Sequence, residues 1–156
     1  MTTGELLQAV QTALLNDSGV AAWCLDEFGK APTIWLGLDE QNPPVESDYP
    51  LISIVAIDQA RGNSRGEIEW QLHLGVGIVN NGLTSAGNGR TYPGMLQAEN
   101  LRELAENALY RTRISGVSID VGSSGEASSV SYHPIYVSYT TIAFSGLKSR
   151  RHSLPQ

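Results

Sequence analysis

Residues 67–80 read EIEWQLHLGVGIVN. Every even position, Ile68, Trp70, Leu72, Leu74, Val76 and Ile78, is apolar, while Glu67, Glu69, Gln71 and His73 hold odd ones. The repeat is two residues, not 3.6, so the segment is a β-strand with one buried face. Its other face starts polar and is then thinned by Gly75 and Gly77. At ~3.3 Å per residue the strand reaches roughly 45 Å, well past the usual length of about five or six residues. A strand that long is expected to project beyond one compact core.

Immediately upstream, residues 51–58 (LISIVAID) are apolar on both faces until their end and read as a buried central strand. Between the two lies QARGNSRG, residues 59–66, whose Gly62, Asn63 and Gly66 can turn the chain. The pair therefore reads as a long antiparallel hairpin. Its tip carries Arg61 and Arg65, two of ten basic residues.

Downstream, residues 81–97 (NGLTSAGNGRTYPGMLQ) lack periodicity and include Arg90. So long a loop is expected to be functional, or disordered until a partner orders it. Residues 98–113 return to helical spacing, with Leu101, Leu104, Ala105, Ala108 and Leu109 on one face and Glu99, Arg102, Glu103 and Glu106 on the other. Strand-like stretches follow at 117–121, 128–132 and 135–145, the last reading IYVSYTTIAFS. Residues 147–156, with Lys148, Arg150 and Arg151, form a basic tail expected to be disordered.

Towards the N-terminus, Thr2 and Glu5 stand in capping-box spacing before Leu6, Leu7, Val10, Ala13 and Leu14, which marks an amphipathic helix. Asn16 to Gly19 is expected to end it, and a loop or irregular strand with Trp23 and Cys24 to follow. Residues 33–38 read as a short strand, stopped by the acidic, Pro-bearing residues 39–50. The expected fold is α+β: a mixed, mainly antiparallel sheet with a long β-hairpin and two helices packed on one face. Residues 1–146 form a single domain in this reading, consistent with a length of 156.

Composition narrows the function classes. A formal charge of -6 argues against a general nucleic-acid binder, although local basic contacts with DNA or acidic partners remain open. With one cysteine, Cys24, neither a disulfide framework nor a thiolate zinc site can be built within the chain. Its apolar neighbours make it a buried, inert thiol. His73, His133 and His152 are too far apart for a zinc spacing, and no HExxH or CxxC accompanies them. Gly75-Val76-Gly77 lies inside a strand with no helix to receive a pyrophosphate, and neither Lys30 nor Lys148 follows a Walker frame. Gly122-Ser123-Ser124-Gly125 lacks the GxSxG frame of a nucleophile elbow. The N-terminus reads as neither signal peptide nor membrane span.

The order of elements, with YPLISI at residues 49–54, WQLHL at 70–74 and the helix NLRELAENALYRT at 100–112 before a terminal β-region, resembles the tail-terminator (tail-completion) proteins of long-tailed bacteriophages. The resemblance spans most of the chain as a pattern of elements and short motifs. It implies a structural protein, without catalytic residues, cofactor or metal. Such a protein forms a homo-oligomeric ring, expected to be a hexamer, that caps the tail tube, stops its growth and offers a joining surface to the head-completion or connector protein, with DNA passing through the ring. It further implies a virion tail component of a phage or prophage, assembled in the bacterial host cytoplasm and not in a membrane. The alternatives are another head–tail connector or secretion-tube component, and a small hydrolase. Residues 81–97 and the basic end are longer than a minimal member needs, so no role is carried over to them. The physical reading assigns interaction to Arg61, Arg65, Glu67, Glu69, Gln71, His73, Arg90, Lys148, Arg150 and Arg151, and makes the polar face of 67–80 the leading subunit contact.

Overall fold

A computed structural model describes residues 1–147. Helix α1 (Thr3–Asn16) begins with the capping box: the Glu5 N–H donates to Thr2 Oγ1 at 3.2 Å and the Thr2 N–H to Glu5 Oε2 at 2.6 Å. The chain does not enter a loop after it. Asp17 caps a second helix, α2 (Ser18–Phe28), by accepting the Val20 N–H at 2.9 Å, and Gly29 closes that helix at φ 71°. Trp23 and Cys24 are therefore helical. Val20 and Cys24, four residues apart, supply the buried face.

Strand β1 (Thr33–Leu36) runs parallel to β2 (Leu51–Arg61), which is antiparallel to β3 (Glu67–Val79). A short hairpin, β4 (Thr84–Ala86) and β5 (Gly89–Thr91), precedes helix α3 (Pro93–Arg111). Strands β6 (Val117–Asp120), β7 (Ala127–Tyr132) and β8 (Ile135–Leu147) complete the main sheet. Its order is β1-β2-β3-β8-β6, with β7 also on the outer edge of β8. The fold is α+β with a mixed, mainly antiparallel sheet, and it has three helices where two were expected. Helix α1 packs on β1 and β2, α3 on β3 and β8, and α2 against α3.

The even residues of β3 face these helices together with Ile52, Ile54, Tyr136, Ile142 and Phe144. Leu72, Leu74 and Ile78 are fully buried, as the period of two requires. The β2–β3 end near Glu67 does not project, however. Strand β8 accompanies β3 along its whole length, from Glu67↔Leu147 to Val79↔Ile135. Ile68 and Trp70 are consequently buried there, and the Trp70 Nε1–H donates to Thr3 Oγ1 of α1 at 3.0 Å. Only the turn at 62–66 extends beyond.

Strand β2 is buried over Leu51 to Ile54, then shifts register at a bulge between Ile54 and Ala56 and becomes largely exposed. It is central only where β1 flanks it. Leu147 belongs to β8, one residue past the expected domain end; Lys148, Arg150, Arg151 and the rest of the basic tail lie outside the described residues. The polar side of α3 is mixed in exposure, with Glu103 exposed and others covered. Arg102 and Glu106 are buried, and the neighbouring Glu99 accepts from Ser129 of β7 and Ser138 of β8.

Candidate functional site

The helices cover one face of the sheet. The other carries the odd residues of β3 and β8, and it divides into two halves of different chemistry.

At the Glu67 end, Asp58, Glu67, Glu69 and Asp120 line one shallow groove with Gln71 and Ser145. Glu67 is partly engaged, accepting the Ser64 N–H at 3.0 Å across the turn. Asp120 caps its own turn, and hydrogen bonding from the Ser123 hydroxyl and N–H and the Gly122 N–H holds its carboxyl below the usual range against the opposing effect of burial. Beside the groove His73 Nε2 lies 2.7 Å from Asp58 Oδ2. These side chains are 35% and 76% exposed, so the pair is an open surface contact worth about 0.2–1 kcal/mol when charged. His73 stands in one cross-strand row with Ala56 and Thr141.

At the opposite end two glycines thin the sheet. The ring of Tyr139 lies over Gly75 and that of Tyr49 over Gly77, where an added Cβ would stand 3.2 Å and 2.6 Å from the ring carbons. Burial, then the charge of Asp48 and the neighbouring Tyr139, raises the Tyr49 phenol above its ordinary value. Val130, Tyr132 and Ile135 extend this half as an exposed apolar patch, Tyr132 being 73% exposed.

Residues 81–97, expected as an unstructured loop, form the β4–β5 arm and the first turn of α3 instead. Gly87, at φ 57°, leads a two-residue turn with Asn88, and the helix starts at Pro93, whose missing N–H costs nothing in a first turn. The root of the arm is fixed. The Asn80 Nδ2 donates to Gln97 Oε1 at 2.6 Å, the Gln97 Nε2 to Glu27 Oε2 at 2.9 Å, and the Gly82 N–H to Asn80 Oδ1 at 2.7 Å. The ring of Tyr92 packs at a tilt of 52° against His133, centroids 5.1 Å apart, and His133 in turn bonds the buried Tyr136 hydroxyl at 2.9 Å. All six residues of β4 and β5 are exposed.

The interaction residues expected from the sequence therefore separate into groups. Arg61, Arg65 and Glu67 gather at the 62–66 turn, Glu69, Gln71 and His73 line the open sheet face, and Arg90 stands on the arm. Lys148, Arg150 and Arg151 are outside the described residues. Asp58, Tyr49, Tyr139 and the Val130–Tyr132 patch were not anticipated. Gly75 and Gly77, two apart on one strand face, were the available signal for rings laid across the sheet.

Among the described residues no three His, Cys, Asp or Glu side chains converge as a metal site. Cys24 is fully buried, and that burial pushes its thiol up to about 12. No described helix is long and apolar enough to cross a membrane. No protein-family model matches the chain, and no curated protein matches it.

Proposed function

We propose that this chain is a structural subunit that assembles as a ring, a hexamer, on the end of a bacteriophage tail tube, halting tube growth and presenting the surface to which the head connector joins. The observation that carries the reading is the bare face of the sheet, acidic at one end and aromatic at the other, beside a projecting hairpin arm. A ring subunit must meet two like neighbours, the tube and the connector, and chemically distinct surfaces around one rigid core serve such different contacts. The resemblance of the element order to tail terminators supports the same reading. In it the virion tail is the protein's destination and DNA passes through the ring.

The test is negative-stain microscopy of the purified protein with isolated tail tubes. Rings seated on tube ends are expected. Rings that bind a head connector but ignore tube ends would transfer the protein to another connector role, and neither rings nor tube binding would end the proposal. Reversing the charge of Arg61 and Arg65 tests the exposed turn separately: unchanged assembly and attachment would rule out its electrostatic part.

A further inference from the structure

We propose that β4 of one subunit adds, antiparallel, to the outer edge of β7 in the next subunit. This deepens the ring reading, on which it rests, by naming its joint. Two features of one chain would then be donor and acceptor.

The acceptor is singled out by its lack of protection. Sheet edges are ordinarily blunted by charge, proline, bulges or covering groups, since unpaired N–H and C=O groups recruit further strands. The exposed half of β2 carries a bulge, Asp58 and Arg61, and β6 is four residues long with Asp120 at its end. On β1 the Gln11 side chain donates to the Ile34 carbonyl at 3.4 Å. Strand β7 has none of these: its six residues, ASSVSY, are uncharged and all exposed. It bonds only β8 through the backbone among the described residues.

The donor is identified the same way. An isolated two-stranded ribbon is marginal in water. The shaft of the arm pairs with nothing but itself among the described residues, although its root is held firmly. Arg90 protects the β5 edge, whereas β4 reads Thr-Ser-Ala and offers an open one. A fixed root and an unsatisfied edge describe a pre-organised donor strand.

The side chains match. Leu83, 47% exposed, immediately precedes β4 and stands two residues from Ser85, the same-face spacing once β4 is extended by one residue on docking, and β7 sets Val130 and Tyr132 on the face of Ser128. With Leu83 beside Val130, Ser85 falls beside Ser128. Residues 81–92 hold one charge, Arg90, and residues 126–132 hold one of opposite sign, Glu126. Because donor and acceptor differ, the contact is head-to-tail and can close a ring; a β7–β7 contact would be two-fold and would stop at a dimer.

Two single-cysteine additions test the joint, Ser85→Cys in one preparation and Ser128→Cys in another, mixed under mild oxidation with and without tail tubes. Both sites are exposed and outside the core, and the native Cys24 is buried. Directly opposed residues bring Cβ atoms within disulfide reach. A mixed disulfide dimer is expected only from the mixture. In an otherwise native chain, Ser85→Pro removes a donor from the open edge of β4 and should leave only the monomer mass in native mass spectrometry. No mixed adduct, a disulfide homodimer from either variant alone, or a Ser85→Pro protein that assembles like the native one would overturn the proposal. Rings without the adduct refute the joint and spare the ring reading. An adduct that yields open chains and never rings refutes the ring reading and spares the joint.

Discussion

Gly94 packs against the ring of Tyr136 so closely that no side chain fits between them. The contact seats the first turn of α3 on β8, directly behind the root of the arm, and Tyr136 is 1% exposed and cannot swing aside. Gly94→Ala is expected to destabilise the fold by about 1–3 kcal/mol, the usual cost of overpacking a filled core. Gly4 is the internal control: it lies in α1 with open space around its Cα, so Gly4→Ala should stabilise by about 0.4–1 kcal/mol through the unfolded chain. Urea midpoints of the two variants check both signs.

Thr3 joins α1 to two strands. Its Oγ1 accepts from Trp70 Nε1 at 3.0 Å and donates to Gln59 Oε1 at 2.6 Å. Thr3→Val keeps the shape and leaves the buried indole N–H without its acceptor, a loss of about 1–3 kcal/mol. Chemical denaturation measures it. A cost near zero would mean that the Glu67 end of the sheet is loose, as a projecting hairpin would be.

The polar cluster under β7 tests a different balance. Arg102 donates from Nη1 to Glu106 Oε1 at 2.7 Å and from Nη2 to Glu99 Oε2 at 2.8 Å, and its Nε has no partner among the described residues. Arg102→Met strands the buried Glu106 and should cost about 3–5 kcal/mol. Replacing the pair together, Arg102→Met with Glu106→Leu, removes both charges and should cost less than the single change. Equal losses would show that the guanidinium contributes by packing alone.

The contrast between what could and could not be read from the sequence follows from the same forces. Residues 67–79 were legible because burial alternates from Glu67 to Leu74, and Gly75 and Gly77 keep the sequence period where both faces become covered. Helix α2 was not, since it buries only Val20 and Cys24 and is separated from α1 by the single capping residue Asp17. The arm was missed because nothing in it is buried, so no periodicity records it. Pro93, in a helix's first turn, was the signal that α3 begins before residue 98. Of the site, the polar face of β3 was visible, but the pairing of His73 with Asp58 depends on a register that shifts at a bulge. The polar face of Glu99, Arg102 and Glu106 was legible from helical spacing, but the tie of Glu99 to Ser129 and Ser138 was not, because those strands follow later in the chain.

Glu99 provides the pH test. It accepts hydroxyls from Ser129 and, at 2.9 Å, from Ser138, besides the Arg102 guanidinium, and so ties α3 to both β7 and β8. Burial alone would raise its pKa; the Ser129, Arg102 and Ser138 hydrogen bonds outweigh burial and bring it below the ordinary 4.5. The folded protein therefore holds this proton less tightly than the unfolded chain does. Its stabilisation is complete above the unfolded value and is lost as pH falls through the lower, folded one. Glu99→Gln keeps the shape and removes the charge, so it should lower Tm at neutral pH, with the gap from the native protein narrowing once pH drops below 4.5. Thermal unfolding of both proteins from about pH 7 to about pH 3 follows the gap across that window. A gap that widened on acidification would reverse the sign and refute the assignment of Glu99 as a charged tie between helix and sheet.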